Sequence, residues 1–270
     1  MYTINHIIWL ILCVCLIVAS LIILKKYKVS LEKLLNIACV GSILSEVIKT
    51  LSVIKMVPLD DGVSFTPYIE MTDVPLHLCS FQIILIFFVR FTKNLKLRQL
   101  ILSFMYPTFT IGAFLAILIP TIFTSSVNPE NAFTYPHPYQ YFLYHAMLVV
   151  LGLYIYISDE AKLKPKNYFT TVALLLGCAF FSFYLNSIFT TPIYENGELV
   201  SVQHMPNFFF TFQTPIDIPL MKMSHWYIYL AIICALGFLL VGLFYLPVFI
   251  KAKKEKNTPV TPEKVLIHTK

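Results

Sequence analysis

The sequence is poor in charged residues, in glycine and in the short motifs that mark many soluble enzymes. Only 13% of its 270 residues are charged, whereas a soluble domain carries about 25%. Its 8 glycines form no phosphate-binding loop, and the CxxC pair and the HExxH metalloprotease pattern are both absent. These absences argue against a nucleotide-binding domain and a zinc protease. The shortage of charge at this length requires a lipid environment.

Apolar residues dominate instead, and they occur in blocks of membrane-spanning length. They make up 58% of the chain, and the mean hydropathy is +0.76. A helix rises ~1.5 Å per residue and crosses a ~30 Å hydrocarbon core with about 20 apolar residues. Seven blocks qualify, the third only if it begins near Val74; they are 4–24, 31–54, 76–91, 97–123, 139–157, 168–189 and 226–250. The sequence therefore predicts an all-α integral membrane protein with a seven-transmembrane-helix bundle.

Lysine and arginine are concentrated in alternate loops. The 20 Lys and Arg exceed the 14 Asp and Glu, an excess that would suggest nucleic acid in a soluble protein. Here all but Lys49, Lys55 and Lys222 lie in or beside the loops between blocks one and two, three and four, and five and six, or after block seven. By the positive-inside rule the N-terminus is outside, the C-terminus is cytoplasmic, and no nucleic-acid partner is expected. We expect a multi-pass cell-membrane protein with a transmembrane domain at 1–250 and a basic, disordered tail at 251–270.

The first block has no basic residues before it, so we expect a retained anchor rather than a cleaved signal. It has few polar residues, which indicates a lipid-facing helix with Trp9 at the membrane interface. All six cysteines of the chain fall inside the blocks, and a disulfide framework is not indicated.

Several polar residues inside the blocks predict a functional site, because such groups are costly in hydrocarbon. Counted from the outer ends of the helices, Cys79 lies roughly 5–8 Å deep, His145 about 10 Å and Glu46 about 12 Å. Asn186 is shallower, His77 lies near the surface, and His225 marks the outer mouth. The site is therefore expected in the outer third of the membrane.

The residue types favour thiol acyl transfer. Cys79 would be the nucleophile and His145 its base, with Glu46 or Asn186 holding the imidazole. Gln82, Asn186 or Tyr141 would donate to an oxyanion. Glu46 and Lys49 are spaced to pair, either as a structural ion pair or as a head-group contact. The expected substrate-binding residues are His77, Gln82, Tyr141, Asn186, His225 and Lys49.

The stretch PLHLCS at 75–80 resembles the signature of the YwaF family of seven-span bacterial integral membrane proteins. The resemblance continues through YFLYH at 141–145, HWY at 225–227 and YLP at 245–247. That family is similar to an animal cysteine-dependent transmembrane phospholipid acyltransferase and, more distantly, to membrane hydrolases of fatty-acid esters. The resemblance implies Cys79 as nucleophile and His145 as its partner.

Three hypotheses follow. The first is a lipid acyltransferase or acyl-ester hydrolase whose Cys–His site opens to the outer leaflet, acting on a phospholipid or other acyl lipid without a cofactor or metal. The second is a non-catalytic protein that binds or transports a lipid or small solute in the same pocket. The third is a metal or haem site formed by His77, His145 and Glu46, although no two of them have the i, i+4 spacing of a helical ligand pair.

Overall fold

A computed structural model describes residues 3–60, 62–74, 76–125, 127–203, 206–212 and 226–257. Within these residues the chain is mainly helical. The helices are α1 (Ile4–Lys26), α2 (Leu31–Val53), α3 (Leu78–Phe91), α4 (Leu95–Leu118), the single turn α5 (Ile122–Ser125), α6 (Pro136–Ile157), α7 (Asn167–Ile188) and α8 (Trp226–Asn257). Six of them are long and apolar enough to cross a membrane.

Helix α3 is the exception among the seven long helices of the described part. Its 14 residues rise only about 21 Å, which is short of a ~30 Å hydrocarbon core. It begins at Leu78 rather than near Val74, because His77 is its N-cap and has extended backbone angles (φ −70°, ψ 155°). Six of the seven expected spans thus have the required length, and the seventh stays a prediction.

Helices α4 and α6 form the centre of the bundle. In each, 61% of the most apolar 18-residue window is buried, against 11% in α7 and 17% in α8. The two helices approach closely at Gly152, where an added Cβ would lie 2.4 Å from Thr110 Oγ1 and 2.9 Å from the Thr110 amide nitrogen. Only glycine, which has no side chain, fits at this contact.

Pro107 in the middle of α4 leaves one backbone carbonyl without its helical donor. Proline has no N–H, so the carbonyl of Ser103, four residues earlier, cannot form the usual helical bond. Hydroxyl groups of two other helices take its place. Thr171 Oγ1 of α7 donates to this carbonyl at 3.1 Å and the Tyr245 hydroxyl of α8 at 2.8 Å. The proline thereby ties α4 to both outer helices.

The loops contain two small β-hairpins that we did not expect. Strands β1 (Lys55–Pro58) and β2 (Phe65–Tyr68) pair antiparallel after α2. Strands β3 (Thr191–Glu195) and β4 (Glu198–Gln203) pair antiparallel after α7. The second hairpin turns at Asn196 and Gly197, which have φ values of 51° and 85°, as the tightest hairpin turns require. The fold is therefore a helical bundle with two exposed hairpins.

Trp9 is not an interfacial anchor, so that expectation is wrong. Its side chain is only 3% exposed and stacks between Phe133 and Phe142, with ring centroids 5.1 and 4.8 Å away. The indole N–H donates to the Ala132 carbonyl at 3.3 Å. His6 is also buried, and its Nε2 bonds the Ile117 carbonyl at 3.0 Å. One side of α1 therefore packs against the protein rather than lipid.

The long helices alternate in direction, which gives the bundle two distinct ends. We call the end where α2 begins and where α3, α6 and α8 finish the basic end. There Glu160 Oε1 accepts from the first N–H of α2, at Leu31 (2.7 Å), and Arg90 pairs with Glu32 at 3.2 Å. Helix α8 continues past Ile250 to Asn257, while the rest of the expected tail, 258–270, lies outside the described residues. We call the opposite end, which carries both hairpins, the capped end.

Candidate functional site

A short strained turn lies across the capped end. We call residues 206–212 the cap turn; it contains a single 3₁₀ turn, Phe208–Phe210. Phe209 and Phe210 have φ values of 57° and 53°, in the left-handed region that costs bulky residues energy. The turn is held by the Tyr229 hydroxyl, which donates to the Phe210 carbonyl, and by the Trp226 indole, which donates to the Thr211 carbonyl at 3.0 Å.

Asn186 on α7 fastens the cap turn from the other side. The side chain is fully buried. Its Oδ1 accepts from the Phe208 N–H at 2.9 Å, and its Nδ2 donates to the Phe208 carbonyl at 3.1 Å and to Thr211 Oγ1 at 2.9 Å. In this structure the Asn186 amide therefore holds the loop.

His77 meets the same turn from the start of α3. Its ring lies edge-on to Phe208, with centroids 5.2 Å apart, and 6.1 Å from Phe210. Since His77 is the N-cap, it precedes the helical turn that carries Cys79. His77 and Asn186 are therefore brought together through Phe208.

Cys79 is the second residue of α3, half-buried against α6. Its carbonyl accepts a hydrogen bond from the Tyr144 hydroxyl at 3.0 Å. The hydroxyls of Tyr141 and Tyr144 both lie within electrostatic range of the Cys79 thiol. Tyr144 thus joins the start of α3 to the turn of α6 that carries His145.

His145 is buried at 6% exposure and is oriented by its own helix. Its Nδ1 lies 2.6 Å from the Tyr141 carbonyl. A carbonyl can only accept, so Nδ1 carries the proton and Nε2 keeps its lone pair. The ring also packs against Tyr141 and Tyr144, with centroids 4.3 and 5.8 Å away. We expected Glu46 or Asn186 to orient the imidazole. In the structure the group that accepts the Nδ1 proton is instead the backbone carbonyl of Tyr141.

An open groove of about 470 Å³ runs between α2 and α3. Three polar residues of α2 spaced four apart, Ser42, Glu46 and Thr50, lie along it beside apolar side chains of the same helix. Ile83, one helical turn after Cys79 on the same side of α3, lines the groove from across. The surface that the groove exposes is nevertheless almost wholly apolar, and Ser42 itself is fully buried.

Glu46 and Lys49 form an ion pair at this groove, with Nζ and Oε1 3.4 Å apart. The Lys49 side chain is only 16% exposed. Lys49 also attracts the carboxylate of Asp73, whose pKa is nevertheless raised because burial outweighs this attraction. Glu46 in turn lies within electrostatic range of the Tyr144 hydroxyl.

Gln82 is fully buried one turn after Cys79. Its Nε2 donates to the Thr108 carbonyl of α4 at 3.3 Å. Among the described residues, its Oε1 has no hydrogen-bond partner. The Tyr141 hydroxyl likewise donates to α4, at the Ala116 carbonyl (3.0 Å). Both side chains connect the candidate site to the central helix.

His225 lies outside the described residues, so its place relative to this cluster stays a prediction. Within the described ranges, no group of three or more His, Cys, Asp and Glu side chains is arranged to hold a metal ion.

Sequence reasoning missed Tyr144, which makes the contact between α3 and α6. A usable signal was present, since Tyr141, Tyr144 and His145 have the i, i+3, i+4 spacing of one helical face. It also missed Gln140, whose side chain donates to Ser45 Oγ of α2 at 2.7 Å. Neither residue is charged, so neither was prominent in an apolar sequence.

Apolar helices of spanning length around a buried polar cluster define an integral membrane protein. The chain belongs to the TMEM164 family, because its sequence matches the profile of that membrane protein family over residues 1–245. Neither a curated protein nor a solved structure matches the chain.

Proposed function

We propose that this protein is a membrane-embedded lipid acyltransferase or acyl-ester hydrolase, with Cys79 as nucleophile and His145 as base. The observation that carries the proposal is the hydrogen bond from Tyr144 to the Cys79 carbonyl. It places the start of α3 against the turn of α6 that bears the histidine. The resemblance of the PLHLCS stretch to the YwaF family supports the same assignment.

The tautomer of His145 suits a general base. With Nδ1–H donated to the Tyr141 carbonyl, Nε2 is the atom able to take a proton. A thiol in an apolar setting needs such a partner, because burial alone disfavours the thiolate. The close, tilted packing of the ring against Tyr141 restricts rotation of the imidazole.

The groove between α2 and α3 suits an acyl lipid. Its almost wholly apolar surface offers contacts to a fatty chain, and the partly exposed Glu46–Lys49 ion pair beside it offers partners to the head group. Cys79 lies one turn from Ile83 at the side of this groove. A lipid could enter sideways from the bilayer, so its chain would stay in an apolar environment throughout.

The chemistry needs no group beyond these side chains and two substrates. Nε2 of His145 takes the thiol proton while the Cys79 sulfur attacks the ester carbonyl carbon. The C–O bond then breaks, and the leaving alkoxide takes the proton from His145, which leaves a thioester on Cys79. A second lipid hydroxyl, or water in a hydrolase, attacks the thioester as His145 accepts its proton, and the proton returns to sulfur.

The other predicted residues take binding roles in this proposal. Glu46 and Lys49 contact the polar head group at the groove. Gln82, which uses only one of its two amide hydrogens at Thr108, contributes a donor to the oxyanion, while Tyr141, whose hydroxyl donates to Ala116, holds the His145 ring in place. His77 and Asn186 lie at the cap turn and shape the mouth of the site, and His225 is predicted to join them there.

We also propose that α3 completes a seven-span bundle with the N-terminus outside and the basic end facing the cytoplasm of a cell membrane. The support is that α3 packs between α2 and α4, and that the lysine-rich loops gather at one end. In this orientation the candidate site opens to the outer leaflet.

The test uses the full chain reconstituted in phosphatidylcholine vesicles with a labelled acyl chain on the lipid. Cys79→Ser and His145→Gln should each lower acyl transfer or release by at least about a hundredfold, since removal of a nucleophile or its base typically has effects of this size. Cys178→Ser is the matched control, because it alters another half-buried cysteine inside a helix. It should keep the wild-type rate.

Trapping the acyl-enzyme distinguishes an enzyme from a lipid-binding protein. Mass spectrometry should find the acyl group on the peptide that contains Cys79, and on no cysteine in the Cys79→Ser variant. If the wild type binds labelled lipid without turnover or adduct, the protein is a binder or transporter and the enzymatic proposal is wrong.

A further inference from the structure

A second open groove, of about 560 Å³, lies at the basic end between α6 and α8. Its walls are Tyr156 of α6 and a stripe of α8 that includes Leu243, Leu246 and Ile250. These three side chains are about half exposed. The groove is separate from the candidate site, which lies at the opposite end of the bundle.

The α8 stripe changes from apolar to cationic along its length. Lys251 and Lys254 follow directly after Ile250 and line the same groove. Being three residues apart, they lie on one face of the helix. A phospholipid matches this order, because its apolar acyl chain is followed by a negatively charged phosphate. Lysine side chains at the end of a spanning helix also reach naturally to the head-group level.

Acidic groups are present but do not neutralise this surface. Asp159 pairs with Lys251 at 3.0 Å and with Lys162 at 3.3 Å, and Glu255 also lines the groove. Against them stand four lysines at 251–257 and three more at 162–166. The local field therefore favours an anion.

We propose that this groove binds an anionic phospholipid of the leaflet at the basic end. The phosphate lies between the ammonium groups of Lys251 and Lys254, and one acyl chain covers Leu243, Leu246 and Ile250. Asp159 competes with the phosphate for Lys251. The site is independent of Cys79 and His145, so neither proposal depends on the other.

The experiment compares the full chain in phosphatidylcholine nanodiscs prepared with and without phosphatidylglycerol. Phosphatidylglycerol should raise the midpoint of thermal unfolding of the wild type, and the lipid should remain bound in native mass spectrometry. In the double variant Lys251→Gln, Lys254→Gln, the apparent affinity should fall about tenfold or more, because each lysine near an anionic surface contributes roughly fivefold.

The double variant Lys164→Gln, Lys253→Gln is the matched control. It removes the same two charges from the basic end, at exposed positions that do not line the groove. The double control should keep most of the phosphatidylglycerol effect. An equal loss in both double variants would show that only the total charge matters, and would overturn the site.

Two further measurements distinguish lipid binding from a structural ion pair and from binding of free phosphate. Asp159→Asn should lower the stability in pure phosphatidylcholine yet increase the shift with phosphatidylglycerol, since Lys251 no longer has a competing partner. A merely structural ion pair would lower both. Inorganic phosphate added to phosphatidylcholine nanodiscs should give no comparable shift; an equal shift would mean that the groove binds free phosphate, and would contradict a lipid site.

Discussion

Asn186 at the capped end is buried and bonds the backbone of a loop, whereas Asp159 at the basic end is half exposed and bonds lysine side chains. Asn186 is fully buried and makes three hydrogen bonds to the cap turn. Asp159 and Lys251 pair at 3.0 Å, but both side chains are 49% exposed. Buried polar bonds are costly to break because the partner is left unsatisfied. Exposed pairs contribute little. The bonds of Asn186 at the capped end are therefore expected to contribute more to stability than the exposed pair at the basic end.

Removal of the Asn186 amide should have the largest effect. Asn186→Ala leaves the buried Phe208 N–H without its partner and removes two further bonds to the cap turn. It is expected to cost about 3 kcal/mol of stability, since a buried group left unpaired costs roughly 1–3 kcal/mol and each lost bond adds to this. The strained cap turn should also become accessible. Thermal unfolding in detergent and limited proteolysis between α7 and α8 measure the two effects. Ser187→Ala changes an exposed neighbour on α7 and is the control. Equal stability and equal proteolysis of the two variants would contradict the conclusion that the buried Asn186 bonds hold the capped end.

An intermediate effect is expected for Tyr144→Phe. The loss should be about 1 kcal/mol, as for one intramolecular hydrogen bond, because the Cys79 carbonyl still accepts from the helix N–H four residues on. The start of α3 should nevertheless separate more readily from α6. Labelling of Cys79 by a membrane-permeable maleimide should therefore become faster relative to Cys178. Tyr184→Phe removes an exposed hydroxyl as the control, and an unchanged labelling ratio in Tyr144→Phe would count against a positioning role.

The smallest effect belongs to the basic end and depends on pH. The hydrogen bond from Lys251 and that from Lys162 hold the pKa of Asp159 below its ordinary value of 3.8. A carboxyl group with a lowered pKa stabilises the folded protein at any pH above its pKa in the unfolded chain. This contribution disappears as the pH falls through the pKa of the folded protein. Because the pair is half exposed, Asp159→Asn should cost less than about 0.5 kcal/mol near neutral pH. Unfolding at pH 7 and pH 3 should show a smaller difference between wild type and variant at pH 3.

The membrane helices were predictable because their composition alone distinguishes them. The start of α3 was not, since Leu76 and Leu78 continue one apolar run through the extended residue His77. The second hairpin was missed although Asn196-Gly197 between apolar residues is a strong turn signal. Trp9 was misplaced because the sequence does not distinguish two settings for an aromatic near a helix end. Such a residue suits the membrane interface, but it also suits a buried contact with the loop after α5.

The candidate site was predictable by residue type but not by contact. Depth along each helix brought Cys79, His145 and Glu46 to one end of the bundle. Sequence alone does not say which helices are neighbours, so it could not identify Tyr144 as the link between α3 and α6. Nor could it place Phe208 against Asn186, which lies 22 residues earlier in the chain. A loop has no repeating pattern of apolar residues from which its contacts could be predicted.

Pro107 also affects the order in which the bundle can be completed during synthesis. The two hydroxyls that bond the Ser103 carbonyl come from α7 and α8, which are synthesised after α4. An unsatisfied carbonyl is costly in hydrocarbon, so a nascent chain that has inserted only α1–α6 carries an exposed polar group in the middle of α4. The central helix therefore reaches its final environment only when α8 has been translated.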